Sequence, residues 1–167
     1  MGYPVMSTAD IAAMPVADTA ERNAHLYLWT VNKFMREAHD VAESWGFRPI
    51  TFLTWGKVKD DGTASMKTGY YFRGATEHCL FAVRGSLPLQ VKHGKPTLYL
   101  SRRLPHSVKP DWFYALCEEC SPGPRLELFA RRPREGWTVW GNEVEANAAI
   151  TGDSPVRGFV GGTYQGD

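Results

Sequence analysis

Three features of the sequence predict an α/β fold built on a largely parallel sheet. Strand-length apolar runs alternate with segments whose apolar residues recur at helical spacing, and turn signals separate the two kinds. The first alternation, a β-prone run followed by a helix-spaced run and a second β-prone run, is the strand–helix–strand unit from which parallel sheets are assembled. The 167 residues, 43% apolar and 22% charged, suit one domain with a substantial core.

Taken in order, Ser7 caps a short helix, helped by Asp10 in its first turn, with Ile11 and Met14 facing inward and Pro15 ending it. Residues 24–31, AHLYLWTV, form a β-prone run long enough for a buried strand. Phe34, Ala38, Val41, Ala42 and Trp45 then share one helical face, which Gly46 and Pro49 close. Residues 48–57 are the next strand, and the polar, glycine-containing residues 58–68 are a surface loop, readable equally as a cover over a site or as an inert insertion. A strand over residues 76–85 follows, then a loop with an edge strand near residues 97–100. Pro110 opens a helix whose apolar face is Phe113, Leu116, Cys117 and Cys120. A Ser-Pro-Gly-Pro turn delivers the chain into a strand over residues 125–130, and a second short strand spans residues 137–140. From Ile150 onward glycine, threonine, aspartate and serine predominate, which predicts a loose tail over 150–167 behind a single domain over 1–149.

Composition narrows the function. A net charge of +1 gives no global basic field, so any nucleic-acid binding must come from local patches. The start of the chain has no basic segment followed by an apolar core, the three cysteines are odd in number, and no apolar run approaches the roughly 20 residues of a membrane span, so a cytoplasmic location is expected. Cys117 and Cys120 have redox or metal spacing but lie on the apolar stripe of a helix, and Cys79 sits in an apolar run. Neither a Walker-type phosphate loop nor a Gly-x-Ser-x-Gly elbow is present, which leaves kinase and hydrolase mechanisms without support.

What remains is a polar and aromatic set near the predicted strand ends: Trp29, Trp55, Lys57, Glu77, Lys109, Arg131, Arg134, Asn142 and Glu143. Open α/β sheets bind ligands beyond the carboxyl ends of their strands. Rings there can stack a base, and cations can hold a carboxylate or phosphate. Taken singly, each tryptophan reads as core and the arginines read as a solvated loop.

The segments GYPVMS, HLYLWTVN, AESWGFRPITFLTWGK, YYFRGATEHCLFAVRG, HSVKPDWFY, SPGPRLELFARRPREGW and WGNEV, in that order, resemble the MT-A70 family of S-adenosylmethionine-dependent adenine N6-methyltransferases. The DNA-modifying bacterial and phage members resemble it most, which points to restriction–modification or a phage's protection of its own DNA. The resemblance implies a Rossmann-like methyltransferase sheet in permuted order, with DNA as substrate and RNA as the lesser alternative. It places Lys109, Phe129, Arg131, Arg134, Asn142 and Glu143 at the cofactor, and Tyr3, Trp29, Trp55, Lys57 and Glu77 around the target adenine, a base that must leave the stack to react. One family motif is absent: Asp-Pro-Pro-Trp, which sits on a strand ahead of the GYPVMS segment and holds the adenine amine. The expectation is therefore a sheet lacking that central strand, with neighbouring edges unpaired. An upstream-encoded piece or partner subunit would supply the strand; alternatively, the chain is a methyltransferase-like binding subunit without chemistry of its own.

Overall fold

The computed structural model describes residues 6–106, 108–141 and 156–162. Two short helices, α1 (Thr8–Ala12) and α2 (Val16–Thr19), lead into β1 (Ala20–Thr30). Ser7 caps α1 as its spacing predicts, its Oγ accepting from the Asp10 amide at 3.1 Å. A single 3-10 turn, Asn32–Phe34, joins β1 to α3 (Met35–Ser44), which presents Ala38, Val41 and Ala42 to the core. Then come β2 (Arg48–Val58), β3 (Thr76–Arg84), β4 (Leu98–Arg102), α4 (Asp111–Cys120), β5 (Arg125–Leu128), β6 (Trp137–Trp140) and β7 (Val156–Gly162).

The strands make one sheet in the order β4-β2-β3-β1-β7-β5-β6. All the described pairings are parallel except those of β3, which runs antiparallel between β1 and β2. The expected unit of β1, α3 and β2 therefore exists with its strands pointing the same way, but they are not neighbours: β3 lies between them and pairs with both. Residues buried on both faces make β1 a continuous run from Ala24 to Thr30, the signature of a central strand covered on each side.

Side-chain alternation sorts the core into two layers. Leu26, Leu28, Leu80, Ala82, Leu126 and Leu128 face α1 and α3, where Trp45 also donates its indole N–H to the Ile11 carbonyl at 3.1 Å. Tyr27, Trp29, Cys79, Trp137 and Val160 face Phe113 and Cys117 of α4. The result is a three-layer, Rossmann-like α/β/α arrangement. Cys117 and Cys120 are buried in it, as their place on the apolar stripe of α4 predicts.

Residues 156–162 correct the expectation of a loose tail. They form β7, an interior strand paired in parallel with β1 on one side and β5 on the other. Composition misleads here because three of the seven residues are glycine. Their contribution is the backbone ladder they complete, not apolar side-chain area. With β7 in place, the facing edges of β1 and β5 are paired, so the expected open slot is not found among the described strands.

Candidate functional site

Because β1, β2, β4, β5, β6 and β7 run the same way, their carboxyl ends share one edge of the sheet, joined there by the start of β3 and the start of α4. The first half of the chain builds outward from β1 toward β4 and the second half builds the β5-β6 side. The region around β1, β7 and β5 is thus where the sheet changes direction of growth, the position at which open α/β sheets form a ligand crevice.

Trp55 lies directly opposite Glu77 in the β2–β3 ladder, and Trp29 opposite Cys79 in the β1–β3 ladder. Around the Glu77 carboxylate gather four other predicted residues, Trp29, Trp55, Lys57 and Lys109. The two oxygens of Glu77 take separate ammonium groups, Lys57 Nζ at 3.3 Å and Lys109 Nζ at 3.1 Å. Lys57 Nζ also stands over the Trp55 ring at 4.6 Å, and Lys109 Nζ over the Trp29 ring at 4.7 Å. The indoles meet edge to face, 6.3 Å apart. All three charged side chains are close to buried, at 9% exposure for Lys57, 12% for Lys109 and 13% for Glu77. Burial lowers the pKa of Lys57, opposed by the charge of Glu77. A carboxylate shared by two ammonium groups in a poorly solvated place suits a polar or charged ligand.

The structure also shows what these tryptophans do. Both are core residues, packed with Phe113 beneath the lysines. They form the floor of the charged cluster, not an open surface on which a base stacks.

The cofactor-side residues divide. Lys109, immediately before α4, joins the Glu77 cluster. Phe129 follows β5 with φ at +61°, the left-handed region that a bulky side chain rarely enters, so the chain turns sharply as it leaves the strand. Its ring packs edge to face on Trp140 at 5.6 Å and against the core layer of α3. Gly141 approaches this turn so closely that a Cβ there would collide with the Ala130 carbonyl oxygen. Arg131 is half-buried just beyond it. Arg134 is directed elsewhere: it pairs with Glu118 of α4, Nε to Oε1 at 2.8 Å, and lies over the Tyr114 ring at 5.1 Å. Glu118, Arg125, Arg134 and Trp137 line an open groove of about 570 Å³ beside the entry ends of β5 and β6, the opposite end from the Lys109 cluster. Tyr3, Asn142 and Glu143 lie outside the described residues.

One residue escaped the sequence reading. Glu127 is buried in the four-residue strand β5 and faces α4, where the Tyr114 hydroxyl donates to its Oε1 at 2.7 Å. Burial raises its pKa, and the Tyr114 hydrogen bond with the charges of Lys109, Arg132 and Arg134 works in the other direction. A buried acid at the carboxyl end of a strand, within the field of Lys109, can accept hydrogen bonds from ligand hydroxyl or ammonium groups. Its sequence signal was present, a lone charge between Leu126 and Leu128, but strand alternation made it look like a solvent-facing position.

Two carboxylates, two lysines and an arginine along one sheet edge, with a strained turn at the end of β5, make a set able to hold a ligand carrying hydroxyls and both signs of charge. The MT-A70 family model matches residues 1–143. The chain belongs to the MT-A70 family. It is 27% identical over 149 residues to the N(6)-adenosine-methyltransferase MT-A70-like protein of Drosophila melanogaster, covering 86% of this chain and 24% of the fly protein. It is 28% identical over 138 residues to the human N(6)-adenosine-methyltransferase catalytic subunit METTL3, covering 79% and 24% of the two chains. Against the Type II methyltransferase M.MunI of Mycoplasma sp it is 28% identical over 153 residues, covering 87% and 61%. The chain thus spans about a quarter of the length of the two eukaryotic relatives. Among the described residues no helix is long and apolar enough to cross a membrane.

Proposed function

We propose that this MT-A70 protein takes part in methyl transfer from S-adenosylmethionine to N6 of adenine in DNA. The observation that carries the reading is the buried Glu127 of β5 within the field of Lys109, with the left-handed turn at Phe129 following at the carboxyl end of the same strand. The donor set fits the cofactor. A carboxylate ligand group suits Lys109 and Arg131, sugar hydroxyls suit Glu127, and an apolar ring edge suits Phe129. When bound, the cofactor supplies an activated methyl group. The chain's own residues supply binding and electrostatics: Lys57 and Lys109, bridged by Glu77, set their ammonium groups over an aromatic floor.

The sequence has no Asp-Pro-Pro-Trp, so in this proposal the group that orients the adenine amine comes from another segment or a partner chain. A second reading, a partner subunit that binds cofactor or nucleic acid without transferring methyl groups, is supported by one observation: β7 already fills the place between β1 and β5. The test uses S-adenosylmethionine with a labelled methyl group and adenine-containing single-stranded DNA, duplex DNA and RNA, with and without the neighbouring gene product. Label on N6 of adenine in DNA is the expected result. Label on RNA would replace the substrate, and cofactor binding without transfer in any combination would select the second reading.

A further inference from the structure

The segment joining β2 to β3 carries three consecutive aromatic residues, Tyr70, Tyr71 and Phe72, that are 93%, 88% and 95% exposed. Single exposed rings are ordinary on a protein surface; three in succession at the tip of one loop make a patch that needs a reason. The neck of the loop is tied down on both sides. The Lys59 and Ser65 amides donate to the Thr63 and Lys57 carbonyls, at 2.9 and 2.7 Å, and close a first turn. The Lys67 amide then donates to the Gly74 carbonyl at 2.8 Å, and Arg73 Nε to the Lys67 carbonyl at 3.1 Å, closing a second lobe around the aromatic tip. Arg103, just past β4, holds the neck from outside through the Ser65 carbonyl and hydroxyl. The tip itself turns tightly: a Cβ on Gly69 would collide with the Phe72 carbonyl oxygen, so this turn requires glycine.

Charge and position indicate what meets these rings. Residues 66–74 include Lys67 and Arg73 and no acidic residue. The two acids of the loop are occupied near its start, Asp60 with Arg102 at 2.5 Å and Asp61 capping the Thr63 amide at 2.9 Å. Basic residues flanking adjacent rings are the composition of surfaces that stack bases while tracking phosphates. The loop also leaves β2 one residue after Lys57 and enters β3 one residue before Glu77, so its neck is continuous with the charged cluster.

Resting on the proposed nucleic-acid substrate, we infer that Tyr70, Tyr71 and Phe72 form a stacking wedge that engages unpaired bases of the substrate strand beside the target adenine. The lobe presents rings that every base can stack on, and the pinned neck fixes their distance from Lys57 and Glu77. An exposed wedge of this kind acts on strand opening and affinity, not on cofactor capture.

The test is fluorescence anisotropy of the full chain with a labelled single-stranded adenine-containing oligodeoxynucleotide, across a range of salt. The triple change Tyr70→Ser, Tyr71→Ser and Phe72→Ser is expected to weaken binding by at least about tenfold, since each stacked base is worth about 1–3 kcal/mol, and to leave the salt slope unchanged. Lys67→Ala with Arg73→Ala is expected to reduce that slope by about 0.7 for each phosphate no longer neutralised. Gly69→Ala, which keeps the rings but moves the tip, is expected to weaken binding too. Circular dichroism checks that each variant folds. Unchanged affinity in the triple variant overturns the inference, as does wild-type protein that binds no strand. A wild-type dimer that the triple variant dissociates would make the tip a protein-binding surface instead. Calorimetry with S-adenosylmethionine separates the failures: cofactor binding with an inert tip sinks only the wedge, whereas strand binding by the wedge without cofactor binding sinks only the methyl-transfer reading.

Discussion

Glu77 and Glu118 are built alike and differ in consequence. Each carboxylate holds two donors beside an aromatic ring: Glu77 holds Lys57 and Lys109, and Glu118 holds Arg134 and the Trp137 indole N–H at 2.8 Å. The Glu77 group is almost out of water, whereas Glu118 and Arg134 are about one-third exposed. A half-solvated, balanced pair costs little to form and returns little. A carboxylate shared by two ammonium groups out of water is costly to disturb, because removing the carboxylate leaves two buried cations without the charge that held them. Sites for ligands are built from the second kind of arrangement, and structural links at a surface from the first.

Glu77 is the residue whose loss has the largest expected effect. Glu77→Ala leaves two buried lysines facing each other, and a loss of about 3–5 kcal/mol is expected in chemical denaturation. A loss below about 1 kcal/mol would show that the cluster is far better solvated than its geometry implies. Next comes Glu127, a buried carboxyl on β5. Its pKa is raised by burial, so its ionisation is less favourable in the folded than in the unfolded state. Its contribution to stability is present below the unfolded carboxylate range and is lost as pH rises through the folded pKa. Glu127→Gln is therefore expected to raise the melting temperature at pH 7 and to bring no gain at pH 4. If Glu127 holds the cofactor, the same change weakens cofactor binding about 10- to 100-fold, the worth of a hydrogen bond to a charged group. A stabilised variant with unaltered affinity would make Glu127 a packing residue only.

Glu118→Ala is the smallest effect, about 0.2–1 kcal/mol, reduced further by salt. The hydrogen bond from Arg134 holds its carboxyl below the usual range, so that contribution is present above the unfolded pKa and fades as pH falls through the folded one. Melting curves of wild type and Glu118→Ala should therefore converge in acid. A difference that persists there would mean that Glu118 acts through packing and not through charge.

Much of the sheet was readable because its information is local. The run AHLYLWT, the Ser7 cap, the helical face ending in Trp45 and the Pro110 start of α4 each carry their own pattern. What escaped was information held between segments. β7 is legible only once β1 and β5 exist to pair with it, since Gly158, Gly161 and Gly162 carry no side-chain signal. The antiparallel insertion of β3 between β1 and β2 carries no local signal, because strand alternation does not reveal a neighbour's direction. In the site, residue type and position near strand ends grouped Lys57, Glu77 and Lys109 with the two tryptophans, but chemistry alone did not show that the rings lie beneath the lysines. Arg134 illustrates the opposite failure: a cation in a promising motif is tied to Glu118 on the neighbouring helix.

Isothermal titration of S-adenosylmethionine into wild type, Lys109→Ala and Glu127→Gln tests most directly whether the carboxyl edge of β1 and β5 holds the cofactor through Lys109 and Glu127. The expected result is saturable binding by the wild type, weakened about tenfold or more in each variant, with both variants folded. Equal affinity in all three, or a wild-type chain that takes up no cofactor, would contradict it.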